Sequence, residues 1–168
     1  MFTGASREAQ PYLEYLISIS CSHCTTSRPP LIGADLASQL PRYRPTALLA
    51  RETNGDPGDS LPRWRDRLTE TSTVADRQAL SRGVSRRLVR TGFTLVMPRW
   101  GGCTSDLDES SAAFGRYYPD RGEQMRVAAT VARRPTADLP VLRMLIYDLG
   151  PWLASEYLAV HGQKAPRG

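Results

Sequence analysis

Residues 139–160, LPVLRMLIYDLGPWLASEYLAV, carry the strongest periodic signal in the chain. Leu142, Leu145, Ile146, Leu149, Trp152, Leu153 and Tyr157 recur at spacings of three and four, which places them on one face of a helix. The pattern predicts a helix over 139–160 with an apolar stripe that must be covered by other helices. Gly150-Pro151 in its middle predicts a kink, because a proline ring removes one backbone donor and crowds the preceding turn.

The same logic extends upstream. Pro119 suits the first position of a helix over 120–132, with Arg133 and Arg134 at the end that the helix dipole favours and Pro135 closing it. Ser105 to Asp108 offer side-chain oxygens that cap a helix carrying Ala112, Ala113, Phe114 and Tyr117. From about Thr73, Leu80, Val84, Leu88, Leu95 and Val96 share one face while Arg77, Arg82, Arg86 and Arg90 lie elsewhere, the signature of an amphipathic helix expected to end near Pro98. Gly101-Gly102 then opens a loop. The first part is less regular. Residues 31–40 fit a short helix stopped by PRYRP at 41–45, and NGDPG at 54–58 is a dense turn signal. The expected fold is mainly α: a small helical bundle at 73–161, a junction of short helix and loop at 31–72, an irregular segment at 1–30 and a disordered tail at 162–168.

A chain of 168 residues with 40% apolar content is sized for one core. No apolar stretch approaches the length of a membrane-spanning helix, and residues 12–19 are interrupted by Glu14 without a clean cleavage site after them. Three cysteines, Cys21, Cys24 and Cys103, cannot all pair within one chain, so reduced thiols and a cytoplasmic location are expected. The net charge is +5, but Lys164 is the sole lysine among 22 basic residues. A GC-rich genome produces such an arginine-rich composition without selection for nucleic acid, which is therefore not the expected partner.

Few residues have the makings of chemistry. Cys21 and Cys24, with His23 between them, form half of a zinc site, and completing it would require Cys103 and His161 to converge from afar, so no metal site is expected. Two histidines near opposite ends do not suggest a nucleophile–base–acid set, and neither common phosphate-cradling loop is present; no catalytic residue is assigned. Asp106 and Asp108 in RWGGCTSDLDE, 99–109, have the spacing of a magnesium-binding pair if extended, and of a helix cap if helical; capping is the expectation. Arg82, Arg86, Arg87 and Arg90 form a partial basic stripe able to meet an anion, with Arg82, Arg86 and Arg90 as its candidate anion-binding residues, although a solvated helix face has the same pattern.

Five segments together resemble a known family: RRLVRTGFTLVM at 86–97, TSDL at 104–107, FGRYYP at 114–119, PTAD at 135–138 and LGPWL at 149–153. They are similar to the C-terminal helical region of bacterial nucleotidyltransferase-domain proteins of the aminoglycoside-modifying and minimal types, over about residues 80–158, with 29–45 as a junction to an upstream half. The resemblance implies a separate αβ half bearing Gly-Ser and Asp-x-Asp, where magnesium and a nucleoside triphosphate bind. This chain lacks that Gly-Ser pair, and its Asp106-Leu-Asp108 lies in the helical half, where the catalytic role does not transfer. The expected function is thus that of a helical acceptor-side half, truncated from or partnered with a catalytic half or another copy, inactive alone. Arg99, Trp100, Asp106, Asp108 and Tyr117 are the candidates to face its pocket. Two other functions fit the residues: a small basic nucleic-acid-binding or regulatory module using Arg82, Arg86 and Arg90, and a stand-alone magnesium-dependent transferase using Asp106 and Asp108.

Overall fold

The computed structural model describes residues 45–54 and 57–163. The described residues contain no strand, and the fold is the expected mainly α bundle. In chain order the helices are α1 (Ala47–Asn54), α2 (Leu61–Glu70), α3 (Val74–Trp100), α4 (Leu107–Tyr117), α5 (Pro119–Arg133), α6 (Leu139–Arg143) and α7 (Gly150–His161). A 3-10 turn, Pro57–Ser60, precedes α2, and a π-helical segment, Met144–Leu149, joins α6 to α7. The expected helix within 31–40, the segment 1–30 and most of the expected tail lie outside the described residues.

Helix α3 is the axis around which the others pack. Its start is set by Thr73, whose hydroxyl oxygen accepts from the Asp76 N–H at 3.1 Å and donates to the Asp76 carboxylate at 2.6 Å. Its first half is amphipathic, with Leu80, Val84 and Leu88 buried while Arg82, Arg86 and Arg90 are exposed. The second half is enclosed, since residues 91–97 are all buried. Seven consecutive buried positions require neighbours on every side, and α1, α4, α5 and α7 supply them.

The helix does not end at Pro98 as its sequence suggests; it continues to Trp100 and stops at Gly101, whose φ of 75° is the left-handed cap that favours glycine. Proline at that position removes the N–H that would pair with the Thr94 carbonyl. His161, at the end of α7, turns its ring toward this turn, with Nε2 3.2 Å from the Leu95 carbonyl oxygen.

Three contacts fix the directions of the central helices. The Ser81 hydroxyl accepts from the Thr136 N–H at 3.1 Å, just past the end of α5. Further along α3, Gly92 lies under Phe114 and Met125, and Arg99 reaches Tyr117. Positions on α4 therefore advance with α3, whereas those on α5 recede. Parallel neighbours require a return connection, and residues 101–106 provide it; six extended residues reach about 20 Å, enough to retrace the length of α4. The α4–α5 corner needs little chain because Gly115 and Gly122 face each other, where a Cβ on Gly115 would sit 3.6 Å from the Gly122 Cα.

The run 139–161 is helical throughout, and its accommodation of Gly150-Pro151 is the π segment. The Gly150 N–H bonds to the Leu145 carbonyl, five residues back. This wider turn leaves room for the proline and turns Tyr147 outward, while Leu145, Ile146 and Leu149 remain fully buried. Helices α1 and α2, which have weak sequence patterns, join the same bundle. Leu61 and Trp64 enter the main core, and Ala50 packs with Phe93, Met97 and Ala113 in a second cluster.

Candidate functional site

The five residues expected to face a common pocket fall into separate places. Asp106 stands immediately before α4, and one of its carboxylate oxygens accepts from the backbone N–H of Asp108 at 2.8 Å and of Glu109 at 2.9 Å. These bonds, the Glu109 one foremost, hold its carboxyl below the ordinary carboxylate pKa, with Arg133 adding to the effect. Arg133, in the last turn of α5, joins both acids: it is 3.2 Å from Asp106 and also pairs with Asp108. Asp108 points to that guanidinium from within the first turn of α4. Asp106 therefore caps the helix, as the capping expectation had it, and both acids tie its start to the end of α5. Among the described residues, no three His, Cys, Asp or Glu side chains are grouped to hold a metal ion.

Arg99 and Tyr117 meet at the other end of α4, about 16 Å away by helical rise over its eleven residues. The Arg99 guanidinium lies over the Tyr117 ring at 4.6 Å and the Tyr118 ring at 5.4 Å. Behind them, Tyr118 stacks on Phe114 and meets Trp152 edge-on, and its hydroxyl donates to Glu156 at 2.9 Å. Burial, more than this carboxylate, raises the Tyr118 pKa, so the phenol is neutral at physiological pH. Arg121 covers the Trp152 ring and pairs with Asp148 at 2.8 Å. Together these side chains make a surface of flat rings and guanidinium groups suited to contact a polar, planar partner. Trp100 is apart from it: its ring packs edge-on against Phe93 and beneath Gly102, closing the second core cluster.

Arg82, Arg86 and Arg90 are exposed at successive turns of α3, and none of them forms an ion pair among the described residues. Arg87, expected in the same stripe, departs from it: it is half-buried and donates to the Asn54 carbonyl, fastening α1. His161 is committed to the end of α3. Cys103, expected as a free thiol, is disulfide-bonded; Cys21, His23 and Cys24 lie outside the described residues.

One feature of the surface has no counterpart in the sequence patterns. A cleft of about 470 Å³ opens between the end of α2, the start of α3 and the α6–π junction, lined by Thr69, Thr71, Arg77, Arg143 and Tyr147, with Leu68 and Leu139 as its apolar part. The arginines sit in unrelated contexts, Arg77 in the first turns of one helix and Arg143 at the end of another, and only the packing of α2 and α6 against α3 unites them. No periodicity could have marked the site. No protein family, curated protein or solved structure matches this chain.

Proposed function

We propose that this chain is the helical, acceptor-side half of a nucleotidyltransferase-like protein and does not transfer a nucleotidyl group alone. The observation that carries the proposal is the meeting of Arg99 and Tyr117 at 4.6 Å, on a face backed by Tyr118, Trp152 and Glu156. Such a face can wall one side of a pocket, offering rings for a planar or sugar-like acceptor and charged groups for its substituents. In this proposal magnesium and the nucleoside triphosphate belong to the catalytic half, and no residue here is assigned to them. Asp106 and Asp108 stabilise the start of α4 instead of performing chemistry.

The test begins with the source DNA upstream of the Met1 codon. Gly-Ser followed by Asp-x-Asp in this frame or a neighbouring one supports the proposal, and the joined chain should release pyrophosphate from a nucleoside triphosphate where this chain alone does not. An unrelated upstream gene, or pyrophosphate release by this chain alone, refutes it.

A second function is favoured by one specific observation, the unpaired stripe of Arg82, Arg86 and Arg90. Three guanidinium groups one turn apart can each meet a phosphate of a nucleic acid. Binding would then weaken with salt with a log–log slope of about −2.7 for a duplex, and Arg86→Gln would reduce that slope by about one. A flat salt profile excludes this use of the stripe.

A further inference from the structure

We propose that the cleft between α2, α3 and the α6–π junction binds a phosphate ester carried on an apolar or aromatic body. The inference is independent of the function proposed above, since the cleft shares none of the residues assigned there.

The lining gives the ligand its chemistry. It holds two guanidinium groups, Arg77 and Arg143, two threonine hydroxyls and the Tyr147 phenol, and no carboxylate. Neither arginine forms an ion pair among the described residues. Arg77 Nε is buried without a hydrogen-bond partner, which is an unfavourable state for a charged donor. An oxyanion entering from the open side could accept from Nε and the neighbouring Nη together, the paired geometry for which a guanidinium is suited.

Leu68 and Leu139 supply the apolar portion, and Tyr147 adds a ring whose position is held by the Arg65 guanidinium 5.4 Å from its centroid. The positive charge of Arg65 adds to the attraction for an anion. The Thr69 and Thr71 hydroxyls donate to the Asp66 and Leu68 carbonyls at 2.7 and 3.2 Å, so the donors left to a ligand are Arg77, Arg143 and Tyr147, a set that matches the three free oxygens of a phosphate ester. The volume, about 470 Å³, is within the range of small-ligand sites.

The π segment connects this site to the fold. A regular α-helix over 139–161 would turn Tyr147 to a different angle and remove it from Arg65, so the irregularity required by Gly150-Pro151 also builds one wall of the cleft.

Titration calorimetry on the full chain tests the proposal, with phenyl phosphate as the probe and inorganic phosphate and phenol as comparisons. Phenyl phosphate should bind one-to-one and at least tenfold tighter than either. Arg143→Gln, at an exposed position where folding is not at stake, should weaken it tenfold or more, as should Arg77→Gln. Arg116→Gln, with the same charge change at the far end of α4, should leave it unchanged. Absence of phenyl phosphate binding overturns the proposal, as does equal affinity for inorganic phosphate. Full affinity in a folded Arg143→Gln chain, or an equal loss in Arg116→Gln, shows general charge attraction and overturns it too. Benzoate binding more tightly than phenyl phosphate refutes the choice of phosphate.

Discussion

Asp106 shows how a residue with catalytic credentials is spent on structure. Its carboxylate accepts two backbone N–H groups of the first turn and pairs with Arg133. Asp106→Ala should lower stability by about 0.5–2 kcal/mol in denaturant titration, whereas Asp106→Asn, an equally good cap, should lose much less. Equal losses would mean that charge, not capping, is the dominant contribution. His161 makes a prediction about pH. Its Nε2–H donates to the Leu95 carbonyl, its Nδ1 is buried without a partner, and burial, together with the charges of Arg99 and Arg51, lowers its pKa below 6.5. A lowered pKa means that the unfolded chain takes up the proton first. The stability is therefore full above 6.5 and is lost as pH falls through the lower folded value. Melting temperature should decline between pH 7 and 5, and His161→Gln should flatten that decline; an unchanged slope would remove His161 as its source.

At the scale of elements, α3 and the α6–π–α7 run carry the two departures from the sequence patterns. Both contain a proline inside a helix: His161 approaches the turn before Pro98, and the π turn makes room before Pro151. Gly150 is essential to the second solution, because a Cβ there would lie 2.8 Å from Leu61 Cδ2 and 2.9 Å from the Leu145 carbonyl oxygen. Gly150→Ala should destabilise the protein by about 1–3 kcal/mol despite alanine's better helix propensity. It should also weaken phenyl phosphate binding by displacing Tyr147. A neutral or stabilising effect in thermal melting would show that the π segment relaxes readily.

For the whole molecule, the main core draws on α2, α3, α4, α5 and the α6–π–α7 run, so no helix has its apolar face covered without the rest. The three tryptophans sample different parts: Trp64 on α2, Trp100 at the end of α3 and Trp152 on α7. Tryptophan fluorescence and far-ultraviolet dichroism should therefore report one coincident unfolding transition. Leu88, fully buried at the centre of α3, tests the size of the core's contribution; Leu88→Ala should cost about 2–5 kcal/mol, a large fraction of the total stability of such a domain. Transitions that separate by probe would indicate that α1 and α2 unfold independently.

The sequence by itself determined that this is a helical bundle, since the apolar residues of α3 and of 139–160 repeat with the period of a helix and solvent exclusion demands partners for them. It also determined the start of α4 and the start of α5, because a carboxylate before a helix and a proline at its first position act through bonds and dihedral angles within a single turn. It left α1 and α2 obscure: they are short and have few apolar residues, and their stability derives from contact with α3 and α7. Only the tertiary structure decided that Arg99 meets Tyr117 while Asp106 stays at the opposite end of α4, because α4 runs parallel to α3 through an extended return. The cleft of Arg77, Arg143 and Tyr147 likewise exists only once three distant segments pack. Local periodicity records which face of a helix is buried, and the face of the neighbour that meets it is a property of the assembled core.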